Sequence, residues 1–219
     1  MKFLQKRGTY SRLLTSLVLL GVTAPFLSQF SYGPKIVNLV FAAVIFSAVW
    51  DVARTPRLLI IGLVLGVPAF GARLIGIVII DKPLFTNVIT EGLTVLVLFY
   101  ALYEIVTNLV TTQEVTADTL RGAISAYLLL GIGWASAYSL VELLQPGAFN
   151  LGAGATSANQ SPNLLYYSFV VLTTLGFGDI TPLTTASRGL TWIEAVTGQL
   201  FIATTIARLV GLKLFGETR

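Results

Sequence analysis

The sequence predicts an all-α membrane protein with six transmembrane helices and a further short, re-entrant helix between the fifth and the sixth. Three observations carry that expectation. Of 219 residues, 55% are hydrophobic and 11% charged, and the mean hydropathy is +0.82, far from the balance of water-soluble domains. Six apolar runs approach or exceed the length needed for a hydrocarbon core of about 30 Å. Between the last two runs lies a helical stretch of about a dozen residues, from Ser161 through Thr173. It is too short to cross and must turn back.

The elements follow from run length and punctuation. The first run, Arg12 to Phe30, follows Lys2, Lys6 and Arg7. A basic start before Leu13 to Gly21 also has the form of a secretory leader, but no Ala-x-Ala-like site follows, so a retained helix is expected. Ile36 to Val52 is the shortest run; Arg57 to Ile80, Asn87 to Val110, Thr119 to Leu143 and Arg188 to Leu212 complete the six. The breaks hold Ser31-Tyr32-Gly33-Pro34, Thr55-Pro56, Asp81-Lys82-Pro83 and Gln145-Pro146-Gly147, all turn-forming compositions. Ser161-Pro162 opens the short helix, Ser as N-cap and Pro at the first helical position. Residues 144–163 are rich in Gly, Ala, Asn and Ser without periodicity and read as an exposed loop. Asn159-Gln160-Ser161 fits a glycosylation sequon of little weight, since the pattern is common and Pro162 follows. There is no internal repeat. Two domains are expected: residues 1–118, a four-helix transmembrane unit, and residues 119–219, an outer helix, loop, short helix, irregular strand and inner helix.

Charge placement orients the chain. Lys2, Lys6, Arg7 and Arg12, then Arg54 and Arg57, then Arg121, then Arg208, Lys213 and Arg219 all fall on one side of the six runs. The positive-inside rule makes that side cytoplasmic, with both termini inside and the chain in the plasma membrane. The net charge of +4 comes from scattered Lys and Arg, suited to anionic lipid and not to nucleic acid. The chain has no cysteine and no histidine, which removes disulfides, thiolate chemistry and the commonest general base and metal ligand. No enzyme activity and no cofactor are expected.

Thr173-Thr174-Leu175-Gly176-Phe177-Gly178-Asp179 has the composition of an ion-stripping strand. A cation sheds its water inside a bilayer only if oxygens replace the hydration shell, and a Thr-x-Gly-aromatic-Gly strand stacks backbone carbonyls for that purpose. Gly176 and Gly178 permit backbone angles that a side chain opposes. Thr174 adds a hydroxyl oxygen. The C-terminal end of the short helix presents the negative pole of its dipole, which favours a nearby cation. Non-helical backbone at membrane depth is tolerated only where protein or water surrounds it. Several copies of one strand must therefore surround an axis, and because the chain has one, a homotetramer is expected.

From Leu164 to about Gly211 the sequence resembles the pore domain of the tetrameric potassium-channel superfamily. The resemblance implies that Thr174, Leu175, Gly176, Phe177 and Gly178 form the filter, with potassium as the permeant ion at the carbonyls of Thr174, Leu175, Gly176 and Phe177. It also implies filter support from Thr173, Tyr166 and Tyr167 as an aromatic collar, Asp179 at the mouth, Pro182 at the outer turn and Gly198 as the inner-helix hinge. Leu175 and Phe177 replace the commoner Val and Tyr, and Phe177 lacks the hydroxyl that can tie filter to collar. Val170 stands where some relatives carry a glutamate paired with the mouth aspartate. Glu194, early in the inner helix, lies behind the filter, where a carboxyl can brace filter or collar.

The six-helix branch of that superfamily senses voltage with several cations in its fourth helix, each worth about 2.3 kcal/mol per 100 mV when moved across the field. Asn87 to Val110 contains no Lys or Arg, so steep voltage dependence is not expected. Arg73 lies about 10 Å and Glu91 about 6 Å from the outer ends of their helices at 1.5 Å per residue; they fit a structural pair. Glu104 has Arg54 or Arg57 as candidate partners, and Arg208 has Glu114, Asp118 or lipid phosphate. The sequence runs seven residues past Leu212, so any regulatory domain is expected on a separate subunit. The alternatives are a weakly selective monovalent cation channel, or a non-conducting membrane sensor or intramembrane enzyme built on Arg73, Glu91 and Glu104.

Overall fold

The computed structural model describes residues 10–27, 30, 32–52, 56–78, 83–152 and 160–217. Lys2, Lys6, Arg7, Arg54, Lys82, Arg219 and Asn159 of the sequon lie outside the described residues. The described helices are α1 (Ser11–Leu27), α2 (Gly33–Val52), α3 (Pro56–Val78), α4 (Leu84–Thr111), α5 (Ala117–Leu144), α6 (Gln160–Leu172) and α7 (Thr185–Glu217). They reproduce the six apolar runs and the short helix, with ends displaced by a few residues. Helix α1 is described to Leu27, and the Phe30 N–H donates to the Leu27 carbonyl at 3.0 Å.

Among the described residues four helices, α3, α4, α5 and α7, are long and apolar enough to cross a membrane, whereas α1 is apolar with 17 described residues. The all-α expectation also needs a correction: β1 (Phe149–Asn150) pairs antiparallel with β2 (Thr181–Pro182). This two-residue ladder is invisible to periodicity because neither strand is long enough to alternate.

Caps explain several helix ends. Thr116 and Thr119 form a reciprocal capping box at the start of α5. Thr184 and Ser187 do the same for α7, each side chain meeting the other's backbone N–H at 3.1–3.2 Å, so α7 begins three residues before the expected Arg188. Helix α6 is described from Gln160, so Ser161 is a helical residue and not its cap.

Helix α5 is the hub. It packs on α1, α4, α6 and α7, while α1 to α4 pack in sequence with an added α2–α4 contact. Small residues on α5 permit close approach: a Cβ added at Gly131 would lie 2.8 Å from the Phe169 ring of α6. One apolar cluster joins α1, α2 and α4 to α5 through Leu13, Leu17, Val44, Leu98, Ile105 and Leu129. A second seats α6 on α5 through Trp134, Tyr138, Leu164 and Tyr167. Two-thirds (67%) of the most apolar window of α5 is buried, against 6% for α7. Helix α7 thus lies on the outside of a single chain with its apolar surface uncovered.

Candidate functional site

Helix α6, 13 residues or about 20 Å long, ends at Leu172, and its last carbonyls hold the segment that follows. The Thr173 N–H donates to the Phe169 carbonyl at 3.0 Å, Thr174 to Val171 at 2.9 Å and Leu175 to Val170 at 2.9 Å. The chain then leaves the helix with positive φ at every second residue: Thr174 at +60°, Gly176 at +56° and Gly178 at +78°. Positive φ at alternate residues takes the backbone out of any regular helix or strand. Glycine accepts this geometry freely, but at Thr174 it is strained. Residues 173–179 are all exposed. Among the described residues, none of the carbonyls from Thr173 to Gly178 accepts a hydrogen bond.

The two tyrosines of the expected collar divide their roles. Tyr166 is exposed and its hydroxyl donates to Asp179 Oδ2 at 2.8 Å; the bond to this carboxylate raises the hydroxyl above the ordinary tyrosine range. Tyr167 is buried against Tyr138 and Phe149. Its hydroxyl meets Thr191 Oγ1 of α7 at 2.9 Å. Asp179 thus has an aromatic partner within the chain, where Val170 offers none.

The loop after α5 and the start of α7 are joined to this framework. Glu142, at the end of α5, accepts from the N–H groups of Gly147 and Phe149 at 2.8 and 3.0 Å. The Leu183 N–H donates to the Ala148 carbonyl at 2.8 Å. The chain leaving the 173–179 segment is thereby fastened to the loop that precedes α6.

Behind α6, Glu194 of α7 is fully buried. Tyr138 of α5 donates to its Oε2, and Ser168 Oγ of α6 lies 2.5 Å from its Oε1. Ser168 Oγ is also 2.7 Å from the Gly131 carbonyl of α5. Four residues on, Gly198 faces Leu172, the last residue of α6. The sequence pointed to Glu194 but not to its partners. Ser168 carried a signal, as a polar residue within the apolar run Leu164 to Leu172.

Arg208 departs from expectation. Its guanidinium donates to the carbonyls of Leu109 (2.9 Å), Val110 and Thr112 (2.9 Å), at the C-terminal end of α4. A guanidinium matches this site because the last helical carbonyls lack intrahelical partners and carry the negative end of the dipole. Glu114 and Asp118 are not its partners; Asp118 Oδ1 instead accepts from the Tyr10 N–H, at the start of α1, at 3.1 Å.

The expected Arg73–Glu91 pair is present, with Nη2 to Oε2 at 2.9 Å and both side chains largely buried. Arg73 also reaches Thr94 and Asn38, and stacks on Phe41 with its Cζ 4.5 Å from the ring centre. This saturation fits a structural pair. For Glu104, the candidate partner Arg54 lies outside the described residues. Among the described residues, no group of three or more His, Cys, Asp or Glu is placed to hold a metal ion.

Residues 127–212 match the family model described as ion channel. No curated protein and no solved structure matches the chain. The matched region starts within α5, contains α6 and the 173–179 segment, and ends in α7. Over those residues the chain is similar to ion channels, and among the described residues it has helices long and apolar enough to cross a membrane.

Proposed function

We propose that four copies of this chain form a potassium-selective channel, in which α6 is a re-entrant pore helix and residues 174–178 the filter. One observation carries the reading: left-handed φ at Thr174, Gly176 and Gly178, with carbonyls that, among the described residues, no group engages. In a single chain those oxygens are exposed and useless; around a fourfold axis they replace the water of a dehydrated ion. The uncovered apolar surface of α7 supports assembly, since an inner helix packs against its neighbours in such a pore. Thr173, Tyr166, Tyr167, Asp179 and Glu194 support the filter in this reading. Gly198 sits where the inner helix meets it.

In the same proposal residues 1–118 form a peripheral four-helix domain, giving six spans with α5 and α7 and both termini in the cytoplasm of a plasma-membrane protein. Helix α4 holds no Lys or Arg from Leu84 to Thr111, so gating is not steeply voltage-dependent. Conduction is passive, without catalysis or cofactor, and any further regulator is a separate subunit.

The test is flux through purified protein in liposomes under opposed potassium and sodium gradients, with barium as blocker. Reversal potentials that follow potassium, and block by barium, are expected. Potentials that follow sodium equally well would leave the weakly selective cation channel, the reading favoured by the exposed Phe177, which has no hydroxyl to anchor it. No flux of either ion would return the chain to the non-conducting class.

A further inference from the structure

Proton counting around Glu194 assigns a protonation state that neither burial nor motif specifies. Three oxygen–oxygen contacts meet there: Tyr138 hydroxyl with Oε2, Ser168 Oγ with Oε1 at 2.5 Å, and Ser168 Oγ with the Gly131 carbonyl at 2.7 Å. Each needs a proton between its oxygens, because two lone pairs at such a distance repel. A hydroxyl donates one proton. Tyr138 supplies the first contact and Ser168 can supply only one of the other two, while the Gly131 carbonyl has none to give. A carboxylate at position 194 would leave one contact as bare oxygen against oxygen.

We propose that Glu194 works as a neutral carboxylic acid and is a positioning residue for the filter. Its Oε1–H donates to Ser168 Oγ, Ser168 donates to the Gly131 carbonyl, and Tyr138 donates to Oε2. All three contacts are then satisfied. Burial agrees: Glu194 is 0% exposed and, among the described residues, has no ion pair, and an isolated carboxylate is expensive to bury. The ionisable groups facing it are Tyr127 and Tyr138 from α5 and Tyr167 from α6, none of them a cation.

The acid bridges α7, α6 and α5 through one hydrogen-bonded chain. Ser168 lies two residues before Val170, whose carbonyl holds the N–H groups of Leu175 at 2.9 Å and Gly176 at 3.5 Å. The relay therefore sets the depth and rotation of the turn from which the filter hangs. The role in selectivity rests on the function proposed above; the protonation state does not.

Infrared difference spectra of the full-length protein in liposomes at neutral pH, wild type against Glu194→Gln, test the state directly. A protonated-acid carbonyl band present in wild type and absent in the variant is expected, and Tyr138→Phe should shift it to higher frequency by removing the donor to Oε2. A carboxylate pair of bands in its place overturns the proposal. Flux ratios test the role: Gln, whose amide offers an N–H to Ser168 Oγ and a carbonyl to Tyr138, should preserve the wild-type potassium-to-sodium ratio, whatever its value, and Ala should lose it. Equal loss in Gln and Ala overturns the positioning role. A wild type that does not discriminate potassium sinks the proposed function, while the infrared result still decides the protonation state.

Discussion

Gly198 of α7 abuts Leu172, the last residue of α6: a Cβ at position 198 would lie 2.6 Å from Leu172 Cδ1 and 3.1 Å from the Leu172 carbonyl oxygen. Helix α7 thus touches the segment that launches residues 173–179, and it runs unbroken through the contact. Gly198→Ala should displace Leu172 and alter selectivity together with opening. A hinge acting alone would lower open probability and leave selectivity intact. Leu172→Ala should partly relieve Gly198→Ala, with a coupling of about 0.5–3 kcal/mol in a double-mutant cycle on thermal unfolding. Additive effects would show that the contact is not shared.

Gly176 and Gly178 sit at φ of +56° and +78°. An alanine at either position adds about 1–2 kcal/mol of backbone strain per subunit. Gly176→Ala and Gly178→Ala should abolish conduction or potassium preference while tetramers still form. Thr174→Ser should keep conduction, because the hydroxyl remains, whereas Thr174→Gly should relax the strained φ yet lose the side-chain oxygen. Ion flux in liposomes reads all four, and a selective Gly178→Ala channel would refute the carbonyl-lined reading.

Removing the Arg208 guanidinium leaves the carbonyls of Leu109, Val110 and Thr112 without their donor. Arg208→Gln should lower stability by about 1–3 kcal/mol. Lys should restore only part of it, since an ammonium lacks the planar fork. An unchanged melting temperature for Arg208→Gln in detergent would show that water replaces the guanidinium at no cost.

Breaking the buried Arg73–Glu91 pair from one side strands a charge. Arg73→Met or Glu91→Leu alone should destabilise by about 3–5 kcal/mol, whereas the double replacement should be close to neutral. If the pair is structural, the double variant conducts as wild type does. A stable double variant with altered ligand or proton response would instead make Arg73 and Glu91 a functional site.

Helix α4 carries no cation, and Arg73 in α3 is held by Glu91, Thr94 and Asn38. Open probability in planar bilayers should accordingly vary only shallowly with potential. A steep activation curve, equivalent to several charges per subunit, would mean that a sensor has been missed.

Helix positions, the short helix before Thr173 and the depth match of Arg73 with Glu91 were all legible in the sequence. Each depends on local quantities: apolar run length, Pro and Gly punctuation, and a rise of about 1.5 Å per residue. The Gly-rich strand was legible too, because glycine announces unusual backbone angles. Thr174 was not, since nothing in a threonine signals a φ of +60°. Tertiary structure alone decided that Arg208 caps α4, that Tyr166 engages Asp179, that Gly198 meets Leu172, and that Tyr138 and Ser168 converge on Glu194 while Ser168 also meets the Gly131 carbonyl. The partners in these contacts stand up to 99 positions apart. Several of them are backbone carbonyls, which every residue possesses and which therefore leave no mark in a sequence.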